Sequence, residues 1–91
     1  MSLIALKAAF AVQTPSSSSK SVLIAMADHA HSDGTGIYPS RQSLAEKTQL
    51  SVRTISKSIA ELLDEGYLTV TRYGNGTPNT YAMPLTSSVY I

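Results

Sequence analysis

Ser40 and Ser51 each stand at the head of a helical run, and only Gln49 and Leu50 separate the two runs in "SRQSLAEKT-QL-SVRTISKSIAELL". A serine hydroxyl satisfies a free N–H of the first helical turn, so the pattern predicts a short helix over 41–48 and a longer one beginning at Ser51. Leu44 and Ala45 are the inward positions of the first. Val52, Ile55, Ile59, Leu62 and Leu63 make one apolar face of the second. Gly66 supplies the left-handed residue that stops it. "YLTVTR" (67–72) then alternates, with Leu68 and Val70 on one side and Tyr67, Thr69 and Thr71 on the other. "YGNGTPN" (73–79) is a turn, and "TYAMPL" (80–85) returns with Tyr81, Met83 and Leu85 alternating. Pro84 has no N–H to give a ladder, which places the returning strand at an edge.

The preceding chain supplies two more helical segments. Residues 3–12 are apolar nearly all round, with Leu3, Leu6 and Phe10 on one side and Ile4, Ala8 and Ala11 on another. "TPSSSS" (14–19) is a linker whose serines can cap the next helix, expected over about 18–31 with Val22, Leu23, Met26, Ala27 and Ala30 as its stripe. "SDGTG" (32–36) ends it, and "IYPS" (37–40) is extended into its proline. Two helices across a tight turn followed by a hairpin are the order of a winged helix-turn-helix, a mainly α fold with a small β-hairpin.

With 91 residues, the chain makes one domain. Its span divides into an apolar helical segment (1–13), the winged helix-turn-helix (17–86) and a tail (87–91). One Phe and no Trp leave the core mostly aliphatic, and the absence of Cys removes disulfides and thiolate metal sites. "MSLIALKAAFAV" has the apolarity of a signal-peptide core, but no basic segment precedes it and Lys7 interrupts it. No stretch approaches the roughly 20 apolar residues of a membrane span. A cytoplasmic location, in a bacterial or phage-infected cell, is expected.

A net charge of +1 does not by itself indicate a nucleic-acid partner; the placement of charge does. In the helix from Ser51, the cations Arg53 and Lys57 come early and the acids Glu61, Asp64 and Glu65 late, the reverse of what the helix dipole favours. Arg53 and Lys57 are also a like-charge pair four apart, costing an isolated helix roughly 0.2–0.5 kcal/mol. Free backbone N–H groups, the hydroxyls of Ser51, Thr54 and Ser56, and two cations together make this first turn a site for a polyanion. The competing reading is a solvated helix face, as most charged helix positions are.

"KSVLIAMADHAHSDGTGIYPSRQSLAEKTQLSVRTISKSIAELLDEGYL" (20–68) resembles the winged-helix domains of phage and plasmid replication proteins and related phage regulators. Those domains show a "K-x-V-L-x-A-L-A-x-H-A" helix, an aromatic-Pro-Ser lead-in, "L-A", "S-x-R-T-V" and "L-x-x-x-G-L". "ALKAAFAV" (5–12) resembles the short segment that often precedes them. The resemblance implies that Arg53 and Thr54 begin a recognition helix and that Tyr38, Pro39 and Ser40 lead into the helix before it. Gln49 departs from the pattern, standing where Gly is common; positive φ there would carry a steric cost. Replication initiators of this type usually continue into a partner-binding region, whereas this chain ends soon after the wing.

The sequence thus predicts a double-stranded DNA binder with helix 51–65 in the major groove and wing 73–79 on the flanking backbone, as a transcriptional regulator or a replication-origin binder. Arg53 reads bases; Arg41, Gln42, Lys47, Lys57 and Arg72 position phosphates; Ser51, Thr54 and Ser56 touch either. Tyr73 beside Arg72 presses on sugar-phosphate, and Asn75 and Thr77 form the wing tip. Tyr38, Tyr67 and Tyr81 are read as core edge. His29 and His31 with Asp33 lack metal-ligand spacing, and no catalytic constellation or cofactor motif appears, so the chain is not expected to be an enzyme. The alternative class is a protein-interaction module for replisome assembly or regulator binding. The apolar segment 3–12 is either wrapped by the other helices or lies at a two-fold homodimer interface.

Overall fold

A computed structural model of the chain describes residues 3–76 and 79–91. Among these, four helices, α1 (Leu3–Ala11), α2 (Ser17–Ala27), α3 (Arg41–Thr48) and α4 (Val52–Asp64), precede an antiparallel pair, β1 (Thr69–Arg72) and β2 (Thr80–Ala82). The arrangement is a winged helix-turn-helix.

Serine fixes the start of three helices. Ser16, Ser40 and Ser51 have extended backbones, and their side chains accept from the N–H of Ser19 (3.1 Å), Ser43 (3.0 Å) and Thr54 (3.1 Å). Each such cap stabilises by about 1 kcal/mol. Ser19 also accepts from the Ser16 N–H, closing a reciprocal capping box. At the far end of α4, Gly66 has φ +83°, its N–H reaches Leu63 O, and the Tyr67 N–H reaches Leu62 O at 2.9 Å. That double closure satisfies the last carbonyls of the helix.

The helix expected over 18–31 ends at Ala27 instead. After it, the N–H groups of His29 and Ala30 bond three residues back, to Met26 and Ala27, so the last turn tightens and stops. In the turn between α3 and α4, Gln49 has φ 62° and donates to Ala45 O, so the steric cost of positive φ falls on a residue that carries a β-carbon.

The core forms where α2 meets α4. Val22, Leu23, Met26 and Ala27 pack against Ile55, Ile59 and Leu62, with Leu44 of α3 and Ile37, Leu68, Tyr81 and Met83 closing the ends. Val52, expected on this face, is 42% exposed, because it lies at the very start of α4, before the helix reaches the core. Helix α1 docks through its small residues, Ala5 and Ala9, with Val12 just beyond. Neither apolar side read from the sequence is the fully buried one: Leu6 and Ala8 pack partly against the core, and Leu3, Ile4 and Phe10 are each more than 60% exposed. The Lys20 ammonium donates to Phe10 O and Val12 O, a cation on the negative end of α1 that ties it to α2.

The hairpin pairs Thr69 with Ala82, Val70 with Tyr81 and Arg72 with Thr80, with an irregularity between Val70 and Arg72. Both strands are shorter than expected, and β2 does not lie at an edge. Ile37 bridges Tyr81 through two backbone hydrogen bonds, and the Met83 N–H donates to Gly34 O at 2.8 Å, so the loop before α3 flanks β2 on its other side. Pro84 falls beyond this pairing and costs it nothing. Gly34 has φ +87°, and a β-carbon there would collide with Met83 O. The tail folds back: the Tyr90 hydroxyl donates to Tyr67 O at 2.5 Å, their rings meet edge to face, and the Tyr67 hydroxyl donates to Gln13 O. Burial holds the Tyr90 phenol well above its ordinary pKa.

Replacing Gln49 by Gly removes the left-handed strain and should raise unfolding stability by about 0.5–1 kcal/mol. A urea midpoint that increases at constant slope is the expected reading.

Candidate nucleic-acid interface

Burial of Ile55, Ser58, Ile59 and Leu62 turns the opposite side of α4 outward. Arg53, Lys57 and Ala60 are exposed there. Neither cation has a hydrogen bond or ion pair among the described residues. Two uncompensated charges thus stand on the first turns of a helix whose backbone already presents positive potential.

The flanks of α4 are set by its neighbours. On one side, Arg41, the first residue of α3, donates from Nε to Ser56 Oγ at 2.9 Å. Gln42 is exposed beside it. On the other side, Thr54, Lys57, Ser58 and Glu61 share a cleft with Ser16 and Ser18 at the start of α2, and Ser16 Oγ lies 3.4 Å from Glu61 Oε1. Thr54 is half-buried, and its Oγ1 accepts from Ser51 Oγ at 2.9 Å. The hydroxyls of Ser51 and Thr54 are therefore engaged in the cap, and that of Ser56 is engaged by Arg41.

Lys47 is placed elsewhere. Its ammonium sits 2.8 Å from His29 Nε2 and 3.6 Å from Asp28 Oδ2, on the side of α3 turned to α1 and α2, where it borders a groove with Leu6, Phe10 and Ile24. This pairing across α2 and α3 removes it from the set of cations beside α4. Partial burial, then the Lys47 charge, holds the His29 imidazole below its ordinary pKa.

At the hairpin, Arg72, Tyr73 and Asn75 are exposed, Tyr73 by 78%. The Gly74 N–H donates to Asn79 Oδ1 at 2.8 Å, and Gly76 has φ +77°. Thr77 lies outside the described residues. Tyr38, read from sequence as core edge, is 66% exposed just before the α3 cap, because its neighbour Ile37 takes the buried position. It joins Arg41 and Gln42 at the start of α3 as a surface residue that composition and spacing did not single out; no local signal distinguishes an outward tyrosine from an inward one here.

A family model described as a helix-turn-helix domain matches residues 16–68, more than half of the chain. The chain belongs to this helix-turn-helix domain family. The matched span runs from the cap of α2 to the first residue after the α4 turn, and so contains the two helices and the tight turn just described. Neither a curated protein nor a solved structure matches the chain. Membership supports DNA as the partner of this helix-turn-helix domain. No helix among the described residues is long and apolar enough to cross a membrane.

The two lysines should behave differently on DNA. Lys57→Ala should lower the slope of log affinity against log salt by about one. Lys47→Ala should leave the slope unchanged. Binding isotherms across a salt series separate the two.

Proposed function

We propose that this helix-turn-helix domain binds double-stranded DNA sequence-specifically, with α4 in the major groove and the loop 73–79 on the flanking backbone. The observation that carries this reading is the unpaired Arg53 and Lys57 at the positive end of α4, an arrangement that destabilises an isolated helix and suits a polyanion. Arg53 is the base reader, because a guanidinium offers the two parallel donors that guanine O6 and N7 accept. Lys57, Gln42 and Arg72 position the backbone. The resemblance in residues 20–68 supports a phage or plasmid setting, as a transcriptional regulator or a replication-origin binder. Genomic footprinting of the full chain supplies the site and separates these roles. Arg53→Ala should weaken the best site by roughly 1–3 kcal/mol and flatten discrimination. Equal losses on cognate and scrambled duplexes would reduce Arg53 to a phosphate contact, and absence of binding to either by the wild type would favour a protein-interaction module.

A second reading concerns assembly. Leu3, Ile4 and Phe10 leave large apolar surface on α1, and beside them a groove of about 510 Å³ is lined by Leu6, Phe10, Ile24 and Ala25. A second copy brings the same side chains to the same groove, so a two-fold interface covers both at once and presents two copies of α4 to symmetric half-sites. Leu3→Glu with Phe10→Glu should convert a dimer to a folded monomer in sedimentation equilibrium. A wild type that is monomeric both free and on DNA would overturn the dimer.

A further inference from the structure

Arg41 stands apart from the other cations of the DNA face because its guanidinium is already held. Nε donates to Ser56 Oγ at 2.9 Å, across from α3 to α4. Ser56 lies three residues after Arg53 and four before Ala60, on the same side of α4. One of the five guanidinium donors is thereby spent, and the terminal pair of nitrogens has no hydrogen-bond partner among the described residues. Neither Arg41 nor Ser56 belongs to an ion pair; the one ion pair among the described residues joins Lys47 to Asp28. The charge is therefore uncompensated while its direction is restrained.

A phosphate can be met by a flexible point charge as well as by a guanidinium fork. Reading a base edge gains a great deal from restraint, because two acceptors must be met in one plane and an ordered side chain has already lost the freedom that binding would otherwise remove. We propose that Arg41 is a second base-reading residue, specific for a guanine beside the pair read by Arg53, and that Ser56 is the positioning residue that aims its fork. The inference rests on the sequence-specific DNA reading above and moves Arg41 from the backbone contacts to the readers.

Selection from a random duplex library with the full chain tests this, using wild type, Arg41→Lys, Ser56→Ala and the double variant, each shown by thermal melting to be folded. The wild type should return a motif containing a G·C pair that the two single variants both lose. Preference at that position should fall from about five- to hundred-fold to nearly none. Arg41→Lys keeps the charge, so its salt dependence should stay that of the wild type. The double variant should lose nothing further, because the two residues act as one unit. An unchanged motif in both single variants overturns the proposal and leaves the sequence-specific reading intact. Loss of two different positions overturns the role given to Ser56. A wild type that returns no motif overturns the sequence-specific reading itself, and this proposal with it.

Discussion

The packing of α4 on α2 decides what the molecule shows to solvent. Ile55, Ile59 and Leu62 are buried against Val22, Leu23 and Met26, and full burial of each such side chain is worth about 1.5–3 kcal/mol. With that stripe fixed, the helical period leaves no choice about which residues point away from it. Arg53 and Lys57 face out because Ile55, Ile59 and Leu62 face in. The core and the candidate interface are two sides of one periodicity, and a substitution that rotated α4 would disturb both.

The reversed charges of α4 are tolerable because the helix ends are held by other means. Ser51 caps the start, the closure at Gly66 and Tyr67 caps the finish, and each offsets more than the roughly 0.2–0.5 kcal/mol that the Arg53–Lys57 repulsion costs. Stability is supplied by groups that are not on the outer face. That separation leaves the outer face free to carry charge for a partner.

The elements that were legible in the sequence are those governed by local chemistry. Serine caps, the Gly66 stop, the tight Gln49–Leu50 turn and the apolar stripe of α4 all act within a few residues, and all stand where the pattern put them except Val52, which is exposed at the head of the stripe. What was illegible depends on contacts distant along the chain. Ile37 and Gly34 pair with β2 from more than forty residues away, so neither the protected edge nor the exposure of Tyr38 could be read from neighbours. Lys47 has the exposed, helix-end look of a phosphate contact, and only the approach of the α2 terminus reveals Asp28 and His29 as its partners. Arg41 was legible as a cation but not as a restrained one, because its partner is on the next helix.

Helix α1 shows the same limit from the other direction. With apolar residues on every side, its sequence contains no signal for which side is inward, and the size of the residues suggests Leu and Phe. Close approach of two helices favours the opposite choice, since small side chains let the backbones come together over a longer contact. Ala5 and Ala9 serve that role, and the Lys20 ammonium on the carbonyls of Phe10 and Val12 fixes the end of the helix in that rotation. The large residues are consequently outward by construction rather than by fraying. The apolar patch of α1 lies outside residues 16–68, which the family model matches. The exposed cations of α4 and the exposed apolar residues of α1 thus stand on different elements of one core, since Ala5 and Ala9 belong to the same buried cluster as Ile55 and Leu62.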